Sequence, residues 1–353
     1  MVKRYIKSNT VVWLLGIISL AVAAWLIRGM FFQKQYISNA IPGVKDQDKE
    51  SGKPAKEFFA INGVQTTQNI ADARPFAVVV ENHPDSRPQS GLVGADIVYE
   101  TLAEGGITRF LAVYQSKEVK SMGPVRSART YFADLANELH AVFVHVGGNS
   151  DALENIRNKQ YPDIADVDEF FLTPYFTRSK DRPMPHNVYI SIQKLQKYLS
   201  DTKINNKASF EQWNFKDHTK VEPLATAITV SFSEKSYEVV WKYSAAENSY
   251  VRFMAGASHK DLETKEQIKA SAIIVQSVET FPVKSDTVGA IGLVLTGEGQ
   301  GYVFQDGSVK KVFWKKSGSG RTRYFEQNGN EIAFNRGQIW VELLPSELSV
   351  SWK

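Results

Sequence analysis

The chain has 353 residues, 43% hydrophobic and 12% aromatic, enough apolar material for a globular core. A net charge of +4 without a concentrated basic run argues against a nucleic-acid partner. The lack of cysteine excludes disulfides, thiol nucleophiles, thiolate metal sites and lipid attachment through an N-terminal cysteine.

Residues 11–27 (VVWLLGIISLAVAAWLI) carry no charge and no strongly polar side chain. As a helix this run would span roughly 26 Å, slightly less than a hydrocarbon core of about 30 Å. Trp13 and Trp25 stand near its ends, as interfacial indoles do. Lys3, Arg4 and Lys7 precede the run, which predicts a cytoplasmic segment 1–10, a transmembrane helix 11–27 and an external remainder. A cleaved signal peptide competes, because Ala21-Val22-Ala23 resembles a small-residue cleavage site. The apolar run continuing to Ile27 favours a retained single-pass anchor in the cell membrane.

Residues 28–68 are read as a tether, which stays near the bilayer at Met30, Phe31 and Phe32 and from Gln33 is polar and broken by Pro42, Gly43, Gly52, Pro54 and Gly63. Between 69 and 207 strand and helix signals alternate. Strands are expected at 76–81 (FAVVVE), 107–114 (ITRFLAVY) and 141–146 (AVFVHV), and helices at 127–139 and 151–158. From 208 to 353 short strand-like runs recur, separated by turn pairs such as Asp306-Gly307 and Asn328-Gly329. The fold class expected is therefore an α/β N-terminal domain plus a β-rich C-terminal domain, preceded by one transmembrane helix. Gly297-Glu298-Gly299-Gln300-Gly301 reads as a hairpin or bulge, since no Gly-Lys-Ser/Thr follows to make it a phosphate loop.

Chemistry-bearing residues concentrate between 74 and 187. Asn82 and His83 follow the first strand, Glu100 and Glu104 lead to Gly105-Gly106, and His145 ends a strand at Gly147-Gly148. His186 and Asn187 lie in a loop, and with Asn82, His83, Glu100, Glu104 and His145 they form a candidate polar site. Arg109, Arg126, Arg129, Arg178 and Arg182 form a candidate anion site, because guanidinium groups bind phosphate or carboxylate through paired hydrogen bonds. Arg126 and Arg129 also open the expected helix, where free N–H groups attract anions. Against this, the same arginines could form surface or interdomain ion pairs.

Other constellations carry less. Glu100 and Glu104 share a face at either period and could serve as paired carboxylates, although a solvated face or an arginine partner explains them as well. Ser127, His145 and Asp166 lack a nucleophile elbow, and the histidines lack ligand spacing, so no metal site is expected. Trp241, Trp314 and Trp340 lie on strand-like runs, where core packing is the ordinary role and a carbohydrate-stacking face the alternative.

The runs RPFAVVVENHPDSRPQSGL, ADIVYETLAEGGITRFLAVYQS, MGPVRSARTYFADLA and HVGG in the first half resemble the YerB-like family of bacterial envelope lipoproteins. TGEGQGYVF, FWKK and NRGQIWVELLP extend the resemblance into the second half. It implies an N- and a C-terminal family domain and an envelope location, with no established reaction. Members often carry a lipid on cysteine, so a helix must replace it here. The order of Arg109, Pro124-Val125-Arg126, His145 and Arg178–Arg182 is also similar in rhythm to LytR–CpsA–Psr phosphotransferases. That likeness would bring Mg²⁺ and a lipid-linked glycan substrate, but the aspartates those enzymes place beside their arginines are missing. The expected role is binding of an anionic, phosphate-bearing wall component or a wall-assembly partner. Whether the protein is an enzyme is left open.

Overall fold

The computed structural model describes residues 57–219, 222–283 and 289–353. The apolar run 11–27 and most of the expected tether lie outside these residues. Among the described residues no helix is long and apolar enough to cross a membrane.

Strand signals in the first half become β1 (Phe76–Glu81), β2 (Ile97–Leu102), β3 (Thr108–Tyr114), β4 (Val142–His145) and β5 (Ala165–Asp168). Between and after them come helices α1 (Thr130–Asn137), α2 (Ser150–Arg157), α3 (Glu169–Leu172) and α4 (Ile192–Thr202). The second half supplies β6 (Ala227–Ser231), β7 (Glu238–Ser244), β8 (Ser249–Met254), β9 (Ala272–Val278) and β10 (Gly297–Gln305). It continues with β11 (Ser308–Lys316), β12 (Arg323–Phe325), β13 (Ile339–Pro345) and β14 (Val350–Trp352). Several shorter pairings complete the framework. The class is mixed α/β, with a β-rich second half in which no α-helix occurs among the described residues.

One ten-stranded sheet organises the molecule, in the order β12-β11-β10-β9-β13-β2-β3-β1-β4-β5. The two halves of the sequence meet inside it. Strand β13 lies parallel between β9 and β2, with Ile339 opposite Ile97 and Glu342 opposite Glu100. Side-chain alternation then sends Val78, Val80, Val98, Phe110 and Trp340 to one face. There they pack on Ile228, Trp241 and Tyr250 of a smaller antiparallel sheet, in which β8, β7, β6 and β14 are consecutive, and on Leu195 and Leu199 of α4. Ala77, Val79, Tyr99 and Leu111 face the other side, against Tyr131, Phe132 and Leu135 of α1.

One expectation is corrected, and two are resolved between their alternatives. The tether ends earlier than residue 68, because Phe58 and Gln65 already pair as strands and Ile61 is fully buried. Asn62 adds a hydrogen bond from Nδ2 to Asp96 Oδ1 at 2.5 Å. The glycine run 297–301 is regular strand in β10, one arm of the β10–β11 hairpin, so of the two readings the hairpin holds and the bulge does not. A Cβ on Gly299 would meet Trp314 Nε1 at 2.5 Å and one on Gly301 would meet the Val275 carbonyl at 2.5 Å, so these glycines make room for neighbours. The tryptophans Trp241, Trp314 and Trp340 are at most 3% exposed and belong to the core, the ordinary role expected of them.

The face between the two sheets contains a fully buried guanidinium. Arg252 of β8 donates to Glu100 of β2, to Glu342 Oε1 of β13 at 3.0 Å and to His259 Nδ1 at 3.0 Å. Its carbon lies 4.3 Å from the Trp340 ring centre and 5.0 Å from that of Trp241. Burial, with the charges of Arg252 and Arg87 nearby, pushes His259 well below its ordinary value, so it is neutral. Its Nε2–H then donates to Gln89 Oε1 at 2.9 Å. One positive charge thus faces two carboxylates. Burial and the facing Glu100 push Glu342 from 4.5 up to about 8, and a proton on Glu342 balances the charge.

The sign of the resulting pH dependence follows. Folded Glu342 keeps a proton that the unfolded chain releases near 4.5, so its effect is to lower stability progressively as pH rises from there to about 8. Glu342→Gln should flatten that decline in urea-unfolding free energy measured between those limits. Arg252→Ala, which strands Glu100 in the core, should cost about 3–5 kcal/mol by the same measurement.

Candidate functional site

The first-half strands place their polar ends together. Strands β1, β4 and β5 run parallel, β1 and β3 pair antiparallel, and Glu81, Leu102, His145 and Asp168 end β1, β2, β4 and β5. This carboxyl edge is where open α/β sheets hold ligands. Backbone links close it. Val125 and Val80 form a bridge, Arg126 N–H donates to the Val79 carbonyl at 2.9 Å, and Val146 N–H donates to the Arg126 carbonyl at 3.1 Å. The Gly-Pro-Val-Arg-Ser turn before α1 is thereby laid across the ends of β1 and β4.

The five candidate arginines do not converge on one position: two share Glu104, two pair with other carboxylates and one donates to backbone carbonyls. Arg109 and Arg129 are 3% and 6% exposed, and both donate to Glu104: Arg109 to Oε1 and Arg129 to Oε2 at 2.6 Å. Each also donates to a backbone carbonyl, Arg109 to Ser127 at 3.2 Å and Arg129 to Ala128 at 2.7 Å. The Nε of each has no partner. Glu104 stands on the turn before Gly105 and Gly106, whose positive φ values of 58° and 75° suit glycine, and its side chain is 20% exposed. Desolvation alone would raise its carboxyl, but the charges of Arg109 and Arg129 outweigh this and hold it below the ordinary value.

Arg126 donates from Nε to Glu81 Oε1 at 2.9 Å. Arg178 pairs with Glu169 at 2.9 Å and donates to Asn187 Oδ1 at 3.3 Å. Arg182 donates to the carbonyls of Ser86 and Pro88, the latter at 2.7 Å, tying the 179–187 loop to the 83–90 loop. Only Arg109 and Arg129 share an acceptor among the five.

The polar candidates divide likewise. Asn82 donates to Thr108 Oγ1 at 2.6 Å and belongs with Glu100 to the buried network under Arg252, so Glu100 is not paired with Glu104. Both ring nitrogens of His145 meet oxygen acceptors, the Gly147 carbonyl and Asp166 Oδ1, each at 2.8 Å. That leaves no nitrogen for Ser127 and removes the nucleophilic triad. His83 and His186, far apart in sequence, stack with ring centres 5.3 Å apart. Sequence reading missed Arg87, Glu81 and Asp168. Their signal was position alone, at or just beyond strand ends.

Fold and site define a mixed α/β protein in which two sequence halves complete one sheet, with charged side chains gathered at its carboxyl edge. The family model described as Protein of unknown function (DUF3048) N-terminal domain matches residues 61–205, and the DUF3048 C-terminal domain model matches residues 228–341. The chain belongs to this family. It is 32% identical over 305 residues to the Bacillus subtilis (strain 168) protein named "Putative lipoprotein YerB", covering 85% of this chain and 89% of that protein. The crystal structure of the YerB protein from Bacillus subtilis matches with a TM-score of 0.75 at 30% identity, over 83% of this chain and 99% of that one.

Because Glu104 is the shared counter-charge of two buried guanidiniums, Glu104→Ala should cost about 1.5–3 kcal/mol in urea unfolding. In the unsubstituted protein this contribution is present above the ordinary carboxyl value of 4.5 and is lost as pH falls through the depressed folded value.

Proposed function

We propose that this is a membrane-anchored, extracytoplasmic envelope protein that binds a phosphate-bearing wall component at Arg109 and Arg129. One observation carries the reading: two buried guanidiniums converge on a single acceptor position that solvent can reach. Glu104 occupies that position and acts as a resident counter-ion. A phosphate group has one more acceptor oxygen than a carboxylate, and the open Nε of Arg109 and of Arg129 supplies donors that Glu104 does not use. The turn at Gly105-Gly106 lets Glu104 swing aside.

Arg129 is also the N-cap of α1 and makes no side-chain cap, so free N–H groups of that helix add to the attraction for an anion. The anchor in this reading is residues 11–27. The similarity to a protein named as a lipoprotein supports membrane association, and the absence of cysteine favours a helix in place of a lipid.

The test is thermal shift and titration calorimetry of the detergent-solubilised chain with pyrophosphate, an undecaprenyl phosphate analogue and wall fragments. A ligand at 100 times its Kd should stabilise the protein by about 2.7 kcal/mol. Arg129→Ala should weaken binding by about 1.5–3 kcal/mol, whereas Arg178→Ala, bound to a different carboxylate, should leave it unchanged. Glu104→Ala should bind more tightly than the unsubstituted chain. No response to any phosphate ligand in either protein removes the anion reading.

A further inference from the structure

A second group of side chains meets at the same edge without entering the Glu104 cluster. His83 follows β1 through Asn82, and Asp85 lies in the short turn Pro84–Ser86 that begins beside it. His186 arrives from the distant 179–187 loop, and its ring stacks on that of His83 at an interplanar angle of 17°. One potential ligand atom from each of His83, Asp85 and His186 lies within 4.8 Å of the other two.

The surroundings of His186 define which nitrogen it offers. Its Nδ1 lies 2.8 Å from Glu81 Oε2, a carboxylate oxygen that only accepts, so Nδ1 carries the hydrogen and Nε2 presents its lone pair. Glu81 is itself fixed: its side chain is 5% exposed and its other oxygen accepts from Arg126 Nε at 2.9 Å. A buried carboxylate holding the far nitrogen of a partly buried histidine is the arrangement that orients metal-bound imidazoles. The two loops are also joined beforehand, because Arg182 donates to the carbonyls of Ser86 and Pro88. Arg126 neutralises Glu81, which leaves the Asp85 charge for a cation. Asp85 is 72% exposed at its side chain and His83 35%, so an ion has access from solvent.

We propose that His83, Asp85 and His186 bind a divalent transition-metal ion of the Zn²⁺ class, with Glu81 as the positioning residue for His186. Imidazole donors select such ions over Mg²⁺ or Ca²⁺, which prefer all-oxygen sites. Donor atoms on a tetrahedral ion at about 2.0–2.2 Å stand roughly 3.3–3.6 Å apart. The His83 Nδ1 to Asp85 Oδ2 distance of 3.5 Å is already close to this. An ion on that nitrogen replaces the weak hydrogen bond it accepts from Asp85 N–H at 3.2 Å. Three protein ligands leave a fourth position for water or an external oxygen, as exchangeable zinc sites do and closed structural sites do not.

The test uses the detergent-solubilised full chain, stripped of metal with a chelator and titrated with ZnCl₂, CoCl₂ and MgCl₂. Expected are one Zn²⁺ per chain, visible Co²⁺ absorption of tetrahedral intensity and no Mg²⁺ binding. His186→Ala and His83→Ala should abolish the Co²⁺ spectrum, and Asp85→Asn, exposed and safe for folding, should weaken Zn²⁺ by at least tenfold. Glu81→Gln should weaken it by about 10–100-fold while the Co²⁺ spectrum is retained at saturation. The proposal falls if metal-free protein binds no Zn²⁺, or if the His83 and Asp85 variants bind it as the parent does. Zn²⁺ is titrated without phosphate, so failure here is separate from failure of the anion site.

Discussion

Arg252 is the constraint on which the two halves depend. Glu100 and Glu342 stand opposite each other on adjacent parallel strands, one from each half, and point to the same face. Like charges in that position repel, and burial strengthens the repulsion. A guanidinium from the smaller sheet lies between them, and burial together with the facing Glu100 pushes the Glu342 carboxyl upward toward its neutral form. The same contact fixes the register of the smaller sheet over the larger, since Trp241 donates from Nε1 to Glu342 Oε1 at 2.8 Å. On the opposite face Lys316 and Glu138 make a second buried tie between the halves at 3.0 Å. Both ties are specific in direction, which hydrophobic contact alone is not.

From that frame the carboxyl edge acquires its geometry. Once β2 is held by β13, the chain leaving β2 must turn back through Gly105-Gly106 into β3, and Glu104 is carried to the mouth of the edge. Strand β3 returns Arg109 opposite Glu81 on β1, while Arg129 arrives at the start of α1. The acidic and basic groups are therefore set by three different connections: a hairpin, an antiparallel pair and the turn before a helix.

Much of the frame was legible in the sequence because apolar, β-branched runs have few other uses. FAVVVE is β1 to the residue, and Asp306-Gly307, with φ of 55° and 71°, makes the two-residue turn expected between β10 and β11. The misses have physical reasons. In IVYETL, Glu100 and Thr101 interrupt the apolar signal because both serve buried hydrogen bonds, and ADVD in β5 carries two acids that serve His145 and the Gly147 N–H. Arg252 and Glu342 look like solvent residues on any pattern, since charge is rarely fully buried without a partner and the partner is remote in sequence. Helix α4 was a true oversight: Ser191 caps it by accepting from Lys194 N–H, and Ile192, Leu195 and Leu199 mark its buried stripe. The arginines were found as residues but not as pairs, because a one-dimensional reading assigns no counter-ion.

That pairing separates structural arginines from available ones. Arg252 uses Nε and both Nη atoms on His259, Glu342 and Glu100, and aromatic rings cover its faces, so nothing is left to offer a ligand. Arg321 leaves Nε and Nη2 without hydrogen bonds, but its guanidinium lies 3.8 Å over Trp213, whose ring face meets part of its charge. Arg109 and Arg129 differ from both. They share one carboxylate, each keeps an Nε without a partner, and both stand at the edge where the sheet opens. A guanidinium desolvated for packing alone gains by giving each of its nitrogens a protein partner, as Arg252 does. Two neighbouring guanidiniums each left one nitrogen short, around an acceptor that solvent reaches, carry a cost in folding, and that cost is the feature that supports the proposed binding of a larger anion.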